Sequence, residues 1–175
     1  MEIKRLSPKT ILPELTPLAD LLIDAVTHGA SVGFLLPLPK EDALAYWRDV
    51  ANAIASPHRI LLVAKEGDAL AGTVQLDMAT RPNGSHRAEI AKLMVHTSFR
   101  RQGVAQKLMN AIEAEALSAG RTTLVLDTRA GDPSEALYAR SGYLRAGVIP
   151  EYARSTDGKL HSTAFMYKLL KQTPD

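Results

Sequence analysis

Cysteine is absent from the 175-residue sequence, which excludes disulfides and cysteine-ligated zinc and suits a reducing, cytoplasmic setting. The five histidines, at 28, 58, 86, 96 and 161, show neither H-x-x-H nor H-E-x-x-H spacing, so no metal is expected. No apolar run approaches the ~20 residues that a membrane span requires. The opening segment MEIKRLSPKTILPELTP carries charges and prolines in place of the apolar core of a signal peptide. A membrane partner is therefore not expected. Charge of one sign is also lacking. Twenty-one basic and 19 acidic residues leave a formal net charge of +2 with no basic stripe, which argues against nucleic acid as a partner. Neither G-x-x-x-x-G-K-[ST] nor G-x-G-x-x-G occurs, so a P-loop and a dinucleotide fold are both disfavoured. With no internal repeat or linker, residues 1–175 read as a single domain, long enough to bury about 70% of its unfolded surface.

What the chain does have is a clear change of hydrophobic period. EIKRL (2–6) reads as a strand. Ile11, Leu15, Leu18, Leu22 and Ala25 then recur at helical spacing as far as His28, where Gly29 offers a stop. A second helix is expected over 41–55, with Leu44, Trp47, Val50 or Ala51, and Ile54 as its stripe and Trp47 as its core anchor. RILLVAKE (59–66), ALAGTVQLDMA (69–79) and RAEIAKLMVH (87–96) have strand character, and the Asn83-Gly84 pair predicts a hairpin turn before the last of them. Helical spacing returns from Gly103 to about Ser118 through Val104, Leu108, Ala111, Ile112 and Ala116. TTLVLDT (122–128) is a short buried strand. DPSEALYARSG (132–142) is a short helix with Asp132 as cap, Pro133 in the first turn and Glu135 at the capping-box position. YLRAGVIP and HSTAFMYKLL close the chain as strands around the turn-rich STDG. This order makes an α+β domain with a mostly antiparallel central sheet flanked by helices.

The chemistry concentrates in LMVHTSFRRQGVAQKLM (93–109), where a buried strand ends, a loop carries Arg100 and Arg101, and a helix opens at Gly103. A helix N-terminus leaves about four backbone N–H groups free and carries roughly half a positive charge, a ready anion site. Gly103 permits close backbone approach, and Ala105 keeps the neighbourhood small. The expected anion is a pyrophosphate. A competing signal is GASVG (29–33), which matches the letters of the G-x-S-x-G nucleophile elbow, with Asp127 and His161 following Ser31 in hydrolase order. That elbow needs a strand before its serine and a helix directly after it. Here a helix precedes Ser31, and the prolines of FLLPLP oppose a helix behind it. The serine hydrolase is rejected.

The segment LMVHTSFRRQGVAQKLM resembles the acetyl-CoA-binding signature of the GNAT family of N-acetyltransferases, R/Q-x-x-G-x-G/A after a strand ending in valine. Arg100, Gly103 and Ala105 fill its three defining positions, and the element order matches the GNAT (acyl-CoA N-acyltransferase) fold along nearly the whole chain. SEALYARSGY is similar to the family's A-x-x-L-Y-x-x-x-G-F segment. The departures are Ser134 for alanine, Tyr143 for phenylalanine and Gly131 for a frequent asparagine. GASVGF, PNG, RAEIAKLMV, LDTRAG and DGKLHSTA together resemble the tabtoxin-resistance acetyltransferases within the family. That resemblance implies an amino-acid-like or β-lactam-type acceptor.

The resemblance as a whole implies an N-acetyltransferase with acetyl-CoA as co-substrate and no metal, acting on a primary amine of a small molecule by direct transfer in a ternary complex. Its cofactor-binding residues would be Leu93, Met94, Val95, Arg100, Arg101, Gln102, Gly103, Val104, Ala105, Gln106 and Ser134. Glu89 would be the general base, and Tyr138 would protonate the coenzyme A thiolate. Asp127 has two readings: it holds the substrate ammonium or shares the base role, or it is a loop partner of Arg129. Ser31, Phe34 and His161 are read as acceptor contacts, and Lys92 as a solvated or ion-paired residue. A non-catalytic acyl-CoA-binding module and acetylation of a peptide or protein amine are the alternatives. A monomer and a homodimer both stay open.

Overall fold

The computed structural model describes residues 1–171. Strands β1 (Glu2–Leu6), β2 (Arg59–Glu66), β3 (Ala69–Met78) and β4 (Arg87–Val95) pair antiparallel in that order. Strands β5 (Thr123–Arg129), β6 (Leu144–Arg154) and β7 (Leu160–Leu169) continue the sheet as β5-β7-β6, again antiparallel. The two halves meet only through parallel pairing of β4 with β5. Helices α1 (Leu15–Thr27) and α2 (Lys40–Ala53) cover one face, and α3 (Val104–Ser118) and α4 (Pro133–Arg140) cover the other. The result is a mixed sheet of seven strands flanked by four α-helices, the mostly antiparallel arrangement that the periodicity predicts. No helix among the described residues is long and apolar enough to cross a membrane.

The two cores follow from the two periods. Along β2, Ile60 and Leu62 face α3, while Leu61 and Val63 face α1 and α2, so the strand reads as an unbroken apolar run. Leu108, Met109, Ile112 and Ala116 form the buried stripe of α3. Each large apolar side chain buried in this way contributes about 1.5–3 kcal/mol. Trp47 anchors α2 with no exposed surface, and Ala43, not the expected Leu44, lies fully buried beside it. The small residue lets α2 approach α1 closely, and Leu44 stays half-buried at the margin.

Two local expectations are corrected. The Asn83-Gly84 pair does not make a two-residue hairpin turn. Pro82–Gly84 forms a single 3-10 turn, because Pro82 sets a helical φ at its first position. The capping box before α4 does not close either. Asp132 holds the N-cap backbone position without a side-chain hydrogen bond. The Glu135 carboxylate accepts instead from the Gly131 N–H at 2.8 Å and pairs with Arg145. That contact, with the Arg145 guanidinium, holds Glu135 below the usual carboxylate range.

One glycine fixes how closely α3 packs on the sheet. A Cβ at Gly72 would stand 2.6 Å from the Met94 carbonyl oxygen and 3.1 Å from Leu108 Cδ1. Backbone cannot yield as a side chain can, so Gly72→Ala must shift β4 against β3. The expected cost is about 1–3 kcal/mol, as for other overpacked cores, read as a lower denaturation midpoint at unchanged m-value.

Candidate active site

Strands β4 and β5 pair only over Arg87–Glu89 and Thr123–Val125. Beyond Glu89 the two part. The cause lies on the other side of β4, where Lys92 and Leu93 together oppose the single Val74 of β3. Lys92 takes φ 54 to make this bulge. An extra residue bends its strand and reverses the alternation of faces. Ile90 and Val95 accordingly both pack toward α3, whereas Met94 packs with α1 and α2. Over Leu93, Met94 and Val95 the β5-side edge of β4 has no strand beside it, and its backbone groups are available to an extended ligand.

The next turn, Thr97–Phe99, leads into α3. Asp24 of α1 holds this turn in place: its carboxylate accepts from the Thr97 N–H and from the Thr97 hydroxyl, both at 2.9 Å. Arg101 and Gly103 then take positive φ, 60 and 77, and direct the chain into the helix. The first helical bond runs from the Lys107 N–H to the Gly103 carbonyl at 3.1 Å. The N–H groups of Gly103, Val104, Ala105 and Gln106 therefore precede the helical ladder, at its positive end. A Cβ at Gly103 would meet nothing within 4 Å, so the space above it is open.

This N-terminus lines a cavity of about 420 Å³ with Val95, Phe99, Arg100, Arg101, Leu137 and Arg140 among its walls. Three arginines and a helix end suit a multiply charged anion such as a pyrophosphate. The Val104 side chain is in the core, so it offers only backbone. Gln102 donates to the Ser98 carbonyl, and Gln106 donates to Asn110 and accepts from Ser141, so both side chains are already engaged. Ser134 does not line this cavity; its hydroxyl is 2.7 Å from that of Thr128. Arg140 does, although the sequence reading missed it. It follows Leu137 by three residues on α4 and so shares its face, a spacing that marks the residue only once Leu137 is known to face the cleft.

On the opposite face, Glu89 lies across from Asp77 of β3 and Val125 of β5. Asp127, two residues beyond Val125, shares that face. Glu89 stays exposed, yet partial loss of solvent on the sheet face raises its carboxyl above its ordinary value, with Asp127 and Asp77 adding like-charge repulsion, against the opposing pull of Lys92 and Arg59. Arg59 pairs with Asp77. Lys92 is half-buried rather than solvated, and it forms no salt bridge among the described residues, contrary to expectation. Its half-buried ammonium is 6.0 Å from the centroid of Tyr46, and burial lowers its pKa, because the bulge turns it in under α2. Tyr138 of α4 is buried edge-on against Tyr143, and burial with the Asp127 charge pushes its phenol up to about 12. Asp127 thus acts electrostatically on both Glu89 and Tyr138.

A second cavity, of about 250 Å³, lies between the α1–α2 loop and the β6–β7 hairpin, with Ser31, Gly33 and Phe34 above and Arg129 below. Phe34 meets Tyr46 edge-on at 5.1 Å, linking this loop to α2. His161 is not in its lining: Nε2 lies 3.0 Å from Asp157 within the hairpin. Arg129 is held by Ser155, at 2.5 Å, and lies 3.8 Å from Asp132, so Asp127 is not its loop partner. Ser31 sits in an irregular loop rather than on a strand-to-helix elbow, in keeping with rejection of the hydrolase. Among the described residues no three His, Asp or Glu side chains are grouped to hold a metal ion.

The profile of the acetyltransferase (GNAT) family matches residues 25–143. An N-acetyltransferase from the hisH–hisA intergenic region of Azospirillum brasilense is 34% identical over 118 residues, covering 66% of this chain and 68% of that protein. Among solved structures, aminoglycoside 6'-acetyltransferase type Ii is 25% identical with a TM-score of 0.73, covering 99% of this chain and 100% of its own. The structure of yncA from Salmonella typhimurium with acetyl-CoA is similar in fold, at 18% identity and TM-score 0.78, covering 100% of this chain and 98% of its own.

The Asp24 contact predicts a local effect. Asp24→Ala removes the acceptor for both Thr97 donors and is expected to cost about 1–2 kcal/mol, the range for a lost cap. In hydrogen exchange the Thr97 amide should lose protection while the amides of β2 keep theirs.

Proposed function

The chain belongs to the GNAT family of acetyltransferases, and from that premise we propose that it transfers the acetyl group of acetyl-CoA to the primary amine of a small molecule. Transfer is direct, within a ternary complex in the cytoplasm, where acetyl-CoA is made and used. The observation that carries the reading is the parting of β4 from β5 beside the α3 N-terminus. It joins an anion cavity on one face to a row of carboxylates on the other. Residues 1–175 act as one acetyltransferase domain.

In this reading the coenzyme A pyrophosphate sits on the N–H groups of Gly103 to Gln106, between Arg100, Arg101 and Arg140. The pantetheine arm runs along Leu93–Val95, and one N–H there polarises the thioester carbonyl. The acceptor enters beneath the α1–α2 loop, its ammonium drawn to Glu89 and Asp127. A primary amine of pKa ~10.4 is protonated at pH 7, and freeing its lone pair costs roughly 4–5 kcal/mol. Glu89, directly or through a water, takes that proton; its raised pKa brings it nearer the working pH, where a general base is worth roughly 10²–10⁴-fold. The nitrogen attacks the thioester carbon and the C–S bond breaks. The Tyr138 phenol, protonated at pH 7, gives its proton to the departing sulfur. Alignment of the two reactants contributes up to roughly 7–11 kcal/mol in well-oriented cases.

A module that only bound coenzyme A would use the α3 end alone and have no need of Glu89 and Asp127 at the mouth of the gap. The resemblance of GASVGF, RAEIAKLMV and LDTRAG to the tabtoxin-resistance acetyltransferases supports an amino-acid-like or β-lactam-type acceptor, and with it a role in antibiotic resistance.

Glu89→Gln and Tyr138→Phe are each expected to slow amine-dependent release of thiol from acetyl-CoA by about tenfold or more. Coenzyme A binding, followed by calorimetry, should persist in both. The pH profile supplies a second check. Glu89 must be ionised, so the rate falls as the pH drops through its raised pKa. Asp127→Asn removes a repulsion that raises that pKa, and the acidic limb of kcat/KM should move to lower pH. A limb that moved upward would assign the base elsewhere.

A further inference from the structure

The cavity between the α1–α2 loop and the β6–β7 hairpin is not used by the acetyl-transfer chemistry. Its floor is Arg129, and its roof includes Ser31, Gly33 and Phe34. Arg129 and Asp127 alternate on β5 and so share a face, about 6.6 Å apart along the strand. Arg129 is incompletely satisfied. One terminal nitrogen donates to the neutral hydroxyl of Ser155, and the other lies 3.8 Å from Asp132, beyond hydrogen-bond reach. Its Nε is buried with no partner among the described residues. A half-buried guanidinium with an unanswered donor calls for an acceptor, and a planar carboxylate matches its fork.

We propose that Arg129 seats a carboxylate of the acceptor, making the substrate an amino-acid-type amine that lies along β5 with its amine at Asp127 and Glu89. This rests on the reading above, that the cleft admits a primary amine. The face is polar end to end: Asp77, Glu89 and Asp127 gather near the β4–β5 gap, and Arg129 and Arg154 stand at the hairpin end. A zwitterion aligns with that polarity, and a plain diamine does not. A phosphate dianion fits less well, because Asp132 offsets part of the Arg129 charge and the Arg154 guanidinium already donates to the Gly158 carbonyl at 2.6 Å. Lys92 is the other nearby cation, its Nζ 3.5 Å from where a Gly33 Cβ would stand. Its charge is drawn to Asp127 and Glu89, which places it with the carboxylate row rather than with the anchor.

The test pairs each member of a panel of amino acids and dipeptides with its C-terminal amide and follows thiol release from acetyl-CoA. The free acid should be favoured in kcat/KM by about ten- to a hundredfold over its amide, the range of a charge-assisted hydrogen bond pair. In Arg129→Gln that ratio should fall toward one, and in Arg129→Lys it should be intermediate. Wild-type protein that uses acid and amide equally overturns the inference without touching acetyl transfer. So does a ratio that survives Arg129→Gln, or one abolished by Lys92→Met instead. Thiol release with no amine of either kind overturns the acetyltransferase reading itself, and the carboxylate anchor with it.

Discussion

The structure depends on a sheet that stops being continuous. Three residues of β4 pair with three of β5, and then the strands separate. Backbone donors and acceptors at such a parting would ordinarily be a liability. Here they lie between a helix N-terminus and a row of carboxylates, so the same interruption that costs the sheet its hydrogen bonds creates a slot with a different chemistry at each mouth. The bulge at Lys92 is what allows it. Without the extra residue, strict alternation would put Met94 and Ile90 on one face, and Met94 could not join the α1–α2 core while Ile90 packs toward α3.

Rigid packing around the slot keeps its two mouths in register. Gly72 lets α3 and the Met94 carbonyl close over β3. Asp24 ties α1, which packs on the carboxylate-bearing face of the sheet, to the turn that precedes the α3 N-terminus. The Lys168 ammonium bridges Glu113 of α3 at 2.6 Å and the Ser141 carbonyl beside α4 at 2.7 Å, so α3 and α4 are fixed to β7 together. That bridge fixes α4, which buries Tyr138 in the α3-side core and presents Arg140 to the anion cavity. The phenol and one wall of that cavity are therefore set by one element, and Glu89 and Asp127 by the strands.

Much of this was legible in the sequence because it is written in periods. β2 announces itself as an apolar run, and α3 as a stripe from Val104 to Ala116 that begins where the helix starts. The strand-to-helix passage around Arg100, Gly103 and Ala105 is local, and so is the anion site it makes. The bulge was not legible, since a slip of one residue leaves composition unchanged, and Lys92 was misread with it. The capping box failed because Glu135 found a nearer donor in Gly131 and a cation in Arg145, a partner that only the fold brings close. GASVG matched the letters of an elbow, but its meaning comes from the loop it occupies over Arg129. Arg140 drew no attention, and Arg129 only as a loop partner of Asp127, for the same reason: each matters through elements remote in sequence.

In the proposed complex one ligand spans the slot, with its pyrophosphate on the α3 N-terminus and its arm along the free edge of β4. Backbone amide resonances of ¹⁵N-labelled protein, followed during titration with coenzyme A, test it most directly. Gly103 to Gln106 should shift together with Leu93 to Val95, while pantetheine, which lacks the pyrophosphate, should move only the second group. Perturbations confined to the β6–β7 hairpin, or an α3 N-terminus indifferent to coenzyme A, would contradict it.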